Sequence, residues 1–311
     1  MACINPMSVA KPLKGGVRNP KIRITIPCGK CHECLSAKRS DWSFRLGIEH
    51  KNSMSAYFVT LTYNEENYPE EGVVKEHIQN YVKKIRNYLE RKEYEISVDE
   101  RKWLNKTITD ENGKEHKKYP FRYYIVAEFG SNTQRGHYHA LLFNLPYSIA
   151  HASPNKEAKN WDTPLTKLWQ YGQILIGTCT DASIHYTAKY MINNLIQPKG
   201  KNKPFTLQSK GIGKMYTEPA RIYHKKKNST KPYVVKAGFK QRMPRYYQEK
   251  YFNLLDKLKH TQERKQRIEE QEEEMLEIYT RRNENIYEQK LLNNIYMQNK
   301  FNLNNKKNES L

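Results

Sequence analysis

The segment "RGHYHALLFN", residues 135–144, sets two imidazoles one residue apart at the start of an apolar run. Extended backbone alternates its side chains between faces, so in a strand His137 and His139 point one way and Tyr138, Ala140 and Leu142 the other. Spacing alone is weak support for a site. With ten histidines in the chain, chance supplies on the order of 0.3 such pairs, and two exposed strand histidines explain it as well. The neighbourhood shifts that balance. Glu128 lies near the end of the preceding apolar run, and a hairpin return brings it toward the two rings. Two imidazoles and one carboxylate, with positions left open to water and substrate, suit a catalytic divalent ion.

A second group is "YTAKY", Tyr186 to Tyr190. Among 23 tyrosines this spacing arises about 1.7 times by chance, so position says more than spacing. On a helix, Ile184, Ala188, Met191, Ile192 and Leu195 cluster on one side, and Tyr186 and Tyr190 fall on the other with Asn193. The two phenols either pack against another element or stand as displayed nucleophiles. A phenol with a pKa of about 10 is a poor nucleophile. It becomes competent on a phosphodiester when a metal withdraws charge from the phosphate, and a cation such as Lys189 helps to offset the developing charge.

The third group is "CGKCHEC", with Cys28, Cys31 and Cys34 among only five cysteines. Chance gives this clustering on the order of 0.001 times. Thiolates so spaced suit structural zinc, and a closed site takes four ligands. Cys3, His32 and His50 are candidates for the fourth, and Cys179 is also free. The alternative is three reduced thiols at a helix start.

Periodicity outlines the elements that must position these groups. "KIRITIP" (21–27) reads as a short strand, followed after Cys31 by a helix to about His50. "AYFVTLTY" (56–63) reads as a buried strand, and Ile78, Tyr81, Val82, Ile85 and Leu89 mark an amphipathic helix. Residues 91–118 read as a charged loop or hairpin tip. Two strands (121–129 and 137–144) joined by a polar loop, another at 172–180, and a helix at 181–196 follow. Asp181 or Ser183 is the expected N-cap of that helix.

The fold expected is α+β: a central, mainly antiparallel sheet flanked by helices, spanning residues 21–200 after an arm at 1–20. Residues 201–262 form a basic extension, in which Pro244 opens a short helix carrying Tyr247, Tyr251, Leu254 and Leu258 on one face. Residues 263–311 read as a charged helical tail fraying into disorder.

Charge points to the partner. Fifty-four Lys and Arg against 33 Asp and Glu give +21, which favours an anionic partner, nucleic acid first, over a merely basic protein. No apolar run approaches the roughly 18 residues of a spanning helix, and no secretory signal is expected at the start. Five cysteines, an odd number, argue against a disulfide scaffold and for a reducing cytosol. The chain has no GxxxxGK[ST] phosphate loop.

In this order, "FVTLTY" (58–63), "GHYHALLF" (136–143) and "YTAKYM" (186–191) resemble the three motifs of HUH-type rolling-circle replication initiators. "PCGKCHEC" (27–34) with Trp42 in the following helix, "SKGIGKMY" (209–216) and "MPRYYQEKY" (243–251) resemble the gokushovirus initiators of the Microviridae. The resemblance covers roughly residues 20–255. It implies a DNA endonuclease and strand transferase in which His137, His139 and Glu128 bind Mg²⁺ or Mn²⁺. Tyr186 attacks the origin phosphate to leave a 3′-OH and a 5′-phosphotyrosyl link, Lys189 assists, and Tyr190 takes the second transfer, although either tyrosine could start. It further implies single-stranded DNA and the phage origin as substrates, a host helicase and polymerase as partners, and the host bacterial cytoplasm as the compartment. "MINN" follows Tyr190 where the resemblance leads one to expect more basic residues. Two rival readings are a non-catalytic basic DNA-binding protein with structural zinc, and a plasmid initiator or transposase of the same chemistry.

Overall fold

The structure is a computed structural model and describes residues 3–12, 18–91, 96–109, 113–130, 133–151, 163–190, 197–216, 220, 222–223, 233–236, 238–282 and 285–307. Two compact units divide the chain: Met1–Asp41 with Thr217–Leu311, and Trp42–Tyr216.

The first unit opens with an antiparallel hairpin, β1 (Met7–Pro12) and β2 (Arg18–Ile26), whose register shifts between Ala10 and Lys11. Helix α1 (His32–Lys51) follows and carries Glu33 in its first turn and His50 and Lys51 in its last, each charge matching the local end of the helix dipole. The boundary between the units falls within α1.

The second unit holds β3 (Ala56–Thr62), α2 (Lys75–Arg91), α3 (Val98–Leu104), the small hairpin β4 (Thr107–Thr109) and β5 (Glu115–Lys117), β6 (Arg122–Phe129), β7 (Gly136–Phe143), α4 (Tyr147–Ala150), α5 (Pro164–Leu168), β8 (Ile174–Thr178), α6 (Asp181–Tyr190) and β9 (Thr206–Gln208). Five of these strands form one antiparallel sheet in the order β8-β3-β7-β6-β9, which makes β7 central. This is the expected α+β arrangement. One face presents Val59, Leu61, Ile125, Ala127, Tyr138, Ala140 and Leu142, which pack with Ile78, Tyr81, Val82 and Ile85 of α2 and with Leu165 and Trp169. The other presents Tyr124, Val126, Leu141 and Phe143, which pack with Leu46 of α1 and Ile184 of α6. With both faces covered, β6 and β7 are apolar at successive positions instead of alternating.

The remaining described elements belong to the first unit: the hairpin β10 (Tyr233–Lys236) and β11 (Phe239–Arg242), then α7 (Arg245–Tyr251), α8 (Leu254–Arg281) and α9 (Ile286–Lys307). Much of the basic stretch after Tyr216, and residues 308–311, lie outside the described residues.

Three local expectations need correction. Thr180, not Asp181 or Ser183, caps α6: its Oγ1 accepts from Ser183 N–H at 3.2 Å, and Ser183 Oγ accepts from Thr180 N–H at 2.7 Å. That reciprocal pair satisfies two otherwise orphaned donors and leaves Asp181 inside the first turn. The helix opened by Pro244 stops at Tyr251, because Asn253 and Asp256 form a fresh capping box that starts α8. Leu254 and Leu258 therefore belong to the next helix, where both are exposed. Within residues 91–118 stands α3 as well as a hairpin, its start fixed by Ser97 Oγ accepting from Glu100 N–H. The helix expected over 181–196 is described only to Tyr190, and residues 191–196 lie outside the described residues.

Candidate metal centre

The β6–β7 pairing sets Glu128 directly opposite His137, while β3 sets Thr60 opposite His139. Period-two alternation turns both rings and the carboxylate to the same face of the sheet. Glu128 Oε1 lies 2.8 Å from His137 Nε2 and 2.8 Å from His139 Nε2. The three potential ligand atoms all lie within 4.8 Å of one another. The imidazole planes stand at 88°, with centroids 5.0 Å apart.

Each ring is oriented through its other nitrogen. His137 Nδ1 is 3.2 Å from the carbonyl oxygen of Arg135, which can only accept, so Nδ1 carries the proton. His139 Nδ1 lies 3.1 Å from Thr60 Oγ1, and Phe58 stacks on the His139 ring at 5.4 Å and 13°. Partners at Nδ1 leave both Nε2 atoms facing Glu128, which is how second-shell groups prepare histidines to bind a metal. Burial drives the Glu128 carboxyl upward, but hydrogen bonds and charge from His137 and His139 outweigh it and hold the group below the usual carboxylate range. For His137 burial acts downward, and Glu128 outweighs it, so the imidazole keeps its proton above the usual range. The mostly buried donor set, two nitrogens and one carboxylate, fits a hard or borderline divalent ion such as Mg²⁺ or Mn²⁺.

The residue between the histidines has a separate task. Tyr138 is fully buried on the opposite face, where its Oη accepts from Val74 N–H at 2.8 Å and meets Tyr63 Oη at 2.6 Å. Burial pushes its phenol up to about 12, so it serves as an anchor and not as a nucleophile. Gly136 is dictated by closeness: a Cβ there would stand 2.6 Å from the Gly72 carbonyl oxygen and 2.8 Å from Val73 Cγ1.

Helix α6 packs on this same face through Ile184. Ile184 and Ala188 are buried, as their helical spacing predicts, and so is Lys189. Tyr186 is 38% exposed, yet its ring centroid is 5.2 Å from that of His139 and 6.0 Å from that of Phe58. It thus borders the Glu–His–His group while still reaching solvent. The α6 backbone ends at Tyr190, whose side chain lies outside the described residues. Cys28, Cys31 and Cys34 gather in the first unit together with Cys3. Thr60, Phe58 and the Arg135 carbonyl were not among the sequence candidates. Thr60 and Phe58 sit in the quoted "FVTLTY" stretch, and only the strand register reveals which of its residues meet His139.

A family model described as replication-associated protein ORF2 matches residues 56–195, from β3 to just past α6. The replication-associated protein ORF2 of Spiroplasma virus 4 is 27% identical, across 95% of this chain and 96% of that protein. The replication-associated protein VP4 of Bdellovibrio phage phiMH2K is 24% identical, across 81% and 77%. The replication-associated protein ORF4 of Chlamydia phage 1 is 21% identical, across 72% and 53%. The chain belongs to the replication-associated proteins of the gokushovirus phages. Within this replication protein, the family match encloses Glu128, His137, His139, Tyr186, Lys189 and Tyr190, and excludes the cysteine cluster. No solved structure matches the chain. Among the described residues, no helix is long and apolar enough to cross a membrane.

Proposed function

We propose that this phage replication protein cuts one DNA strand at the origin through a tyrosine, retains the 5′ end covalently, and later rejoins the strand. The observation that carries this reading is the seat of Tyr186. Its phenol reaches solvent, and its ring stands 5.2 Å from that of His139, on the sheet face where Glu128 and His137 also converge.

His137 Nε2, His139 Nε2 and the Glu128 carboxylate would hold the ion. Bound Mg²⁺ or Mn²⁺ supplies Lewis-acid withdrawal of charge from the scissile phosphate. Tyr186 Oη bonds to phosphorus as the bond from phosphorus to O3′ breaks; the phenol gives up its proton and the departing O3′ takes one. The products are a free 3′-OH, which primes synthesis, and a 5′-phosphotyrosine. Lys189 offsets negative charge developing at the phosphate. Tyr190 performs the second transfer after one full copy, and attack of a 3′-OH on a phosphotyrosine then closes the circle and frees the phenol.

The substrate in this reading is single-stranded DNA at the phage origin. The +21 charge suits phosphate contacts, and the many tyrosines suit stacking on unpaired bases. Lacking a phosphate loop of its own, the chain leaves unwinding to a host helicase and synthesis to a host polymerase, in the host cytoplasm. Oligonucleotides tiling the origin, incubated with Mn²⁺ or with EDTA, test this directly. A metal-dependent covalent adduct that is lost only in the Tyr186→Phe/Tyr190→Phe double variant supports two competent nucleophiles. Loss with Tyr186→Phe alone reduces Tyr190 to a supporting part, and metal-independent binding without any adduct sinks the nicking reading.

A further inference from the structure

Four sulfurs converge in the first unit, where the nicking reaction makes no use of them. Cys28 and Cys31 bracket the turn before α1, Cys34 lies in the first turn of that helix, and Cys3 precedes β1. Their Sγ atoms all lie within 4.8 Å of one another, with 4.0 Å between Cys28 and Cys34 and 3.8 Å between Cys3 and Cys31. A tetrahedral zinc with bonds of about 2.3 Å holds its sulfurs roughly 3.8 Å apart. The two measured separations are close to that edge length.

The backbone is shaped to the same end. Gly29, at φ +73°, turns the chain between Cys28 and Cys31, a conformation glycine adopts without penalty. The N–H groups of Lys30 and Cys31 point at Cys28 Sγ from 3.4 and 3.3 Å, and Cys28 N–H points at Cys3 Sγ from 3.2 Å. Donors aimed at sulfur favour its charged form, the form that binds metal. The rival fourth ligands are placed otherwise. His32 lies with Nδ1 3.2 Å from Gln298 Oε1 and Nε2 3.2 Å from Glu33; His50 is in the last turn of α1; Cys179 is buried against the sheet.

We infer that Cys3, Cys28, Cys31 and Cys34 bind one zinc ion in a closed four-thiolate site that fastens the β1–β2 hairpin to the start of α1. Four protein ligands leave no open position, so the ion is structural. Soft sulfur here and nitrogen with oxygen at the Glu–His–His group sort two kinds of ion within one chain.

Elemental analysis of the full-length chain, purified without chelator, tests the site through metal content and not through DNA cleavage, so it stands apart from the nicking reading. About one zinc per chain is expected, and it persists in the His137→Ala/His139→Ala variant. Cobalt exchanged for that zinc gives the intense visible bands of tetrahedral thiolate coordination. Cys3→Ser lowers zinc affinity by an order of magnitude or more. Should that variant fail to fold, Cys3→His keeps the metal and loses part of the thiolate-to-cobalt charge-transfer intensity. A zinc-free protein, iron in place of zinc, or Cys3 variants with unchanged zinc content and cobalt spectrum would each overturn the assignment.

Discussion

His139 is held between two neighbours that act on it differently. Phe58 covers its ring face, and Thr60 engages Nδ1 and so selects the tautomer that presents Nε2 to Glu128. Thr60→Val keeps the shape of the strand and removes that partner. Mn²⁺ affinity in this variant is expected to fall about 10- to 100-fold, as second-shell losses do, with unchanged circular dichroism; calorimetric titration measures it. Protons compete for the same site. Because Glu128 raises the His137 pKa, the metal-free imidazole stays protonated to higher pH than an ordinary histidine. Mn²⁺ affinity should therefore climb with pH until it passes the folded pKa of His137, and then level off. The metal-free protein shows the opposite trend on that flank. Stability from the raised His137 is complete below its ordinary value of about 6.5 and is lost as pH rises through the folded value. Stability from the lowered Glu128 is present above the ordinary carboxylate value of about 4.3 and is lost as pH falls through its folded value.

The β6–β7 hairpin shows what was legible at the scale of elements. Two residues apart on one strand must share a face, so the convergence of His137 and His139 follows from local geometry alone, and Glu128 follows once a hairpin is assumed. Thr60 does not, because the register between β3 and β7 joins segments 79 residues apart. The break after Tyr251 was hidden for another reason: Tyr247, Tyr251, Leu254 and Leu258 keep helical spacing across it, and the Asn253–Asp256 capping box overrides the pattern. The segment 209–216 was legible as a motif without a visible use. In the fold, buried Glu49 accepts from Arg122 at 2.9 Å and from Gly213 N–H at 2.7 Å, while Arg122 also donates to the Gly211 carbonyl at 2.6 Å. Arg45 donates to the Ile212 carbonyl beside them. Glu49→Ala leaves a buried guanidinium without its carboxylate and is expected to cost about 3–5 kcal/mol. Urea unfolding checks this, with Glu49→Gln falling between the variant and the wild type.

Across the molecule, the chemistry is divided between a sheet that fixes its ligands in advance and a helix that brings a phenol to them. β7 is hydrogen-bonded on both sides, to β3 and to β6, so the histidines stand on the most enclosed strand of the sheet. Amide protons on such a strand reach water only when the whole sheet comes apart. Hydrogen–deuterium exchange at His137 to Leu142 therefore reports global opening, and an ion bound at the rings slows it by its own binding free energy. At a hundredfold excess over Kd that energy is about 2.7 kcal/mol, a roughly hundredfold slowing. Deuterium uptake along β7 at increasing Mn²⁺ thus becomes an affinity scale for the Glu–His–His group that needs neither DNA nor turnover. His137→Ala is expected to erase the Mn²⁺ dependence and leave these amides on the ordinary unfolding limit.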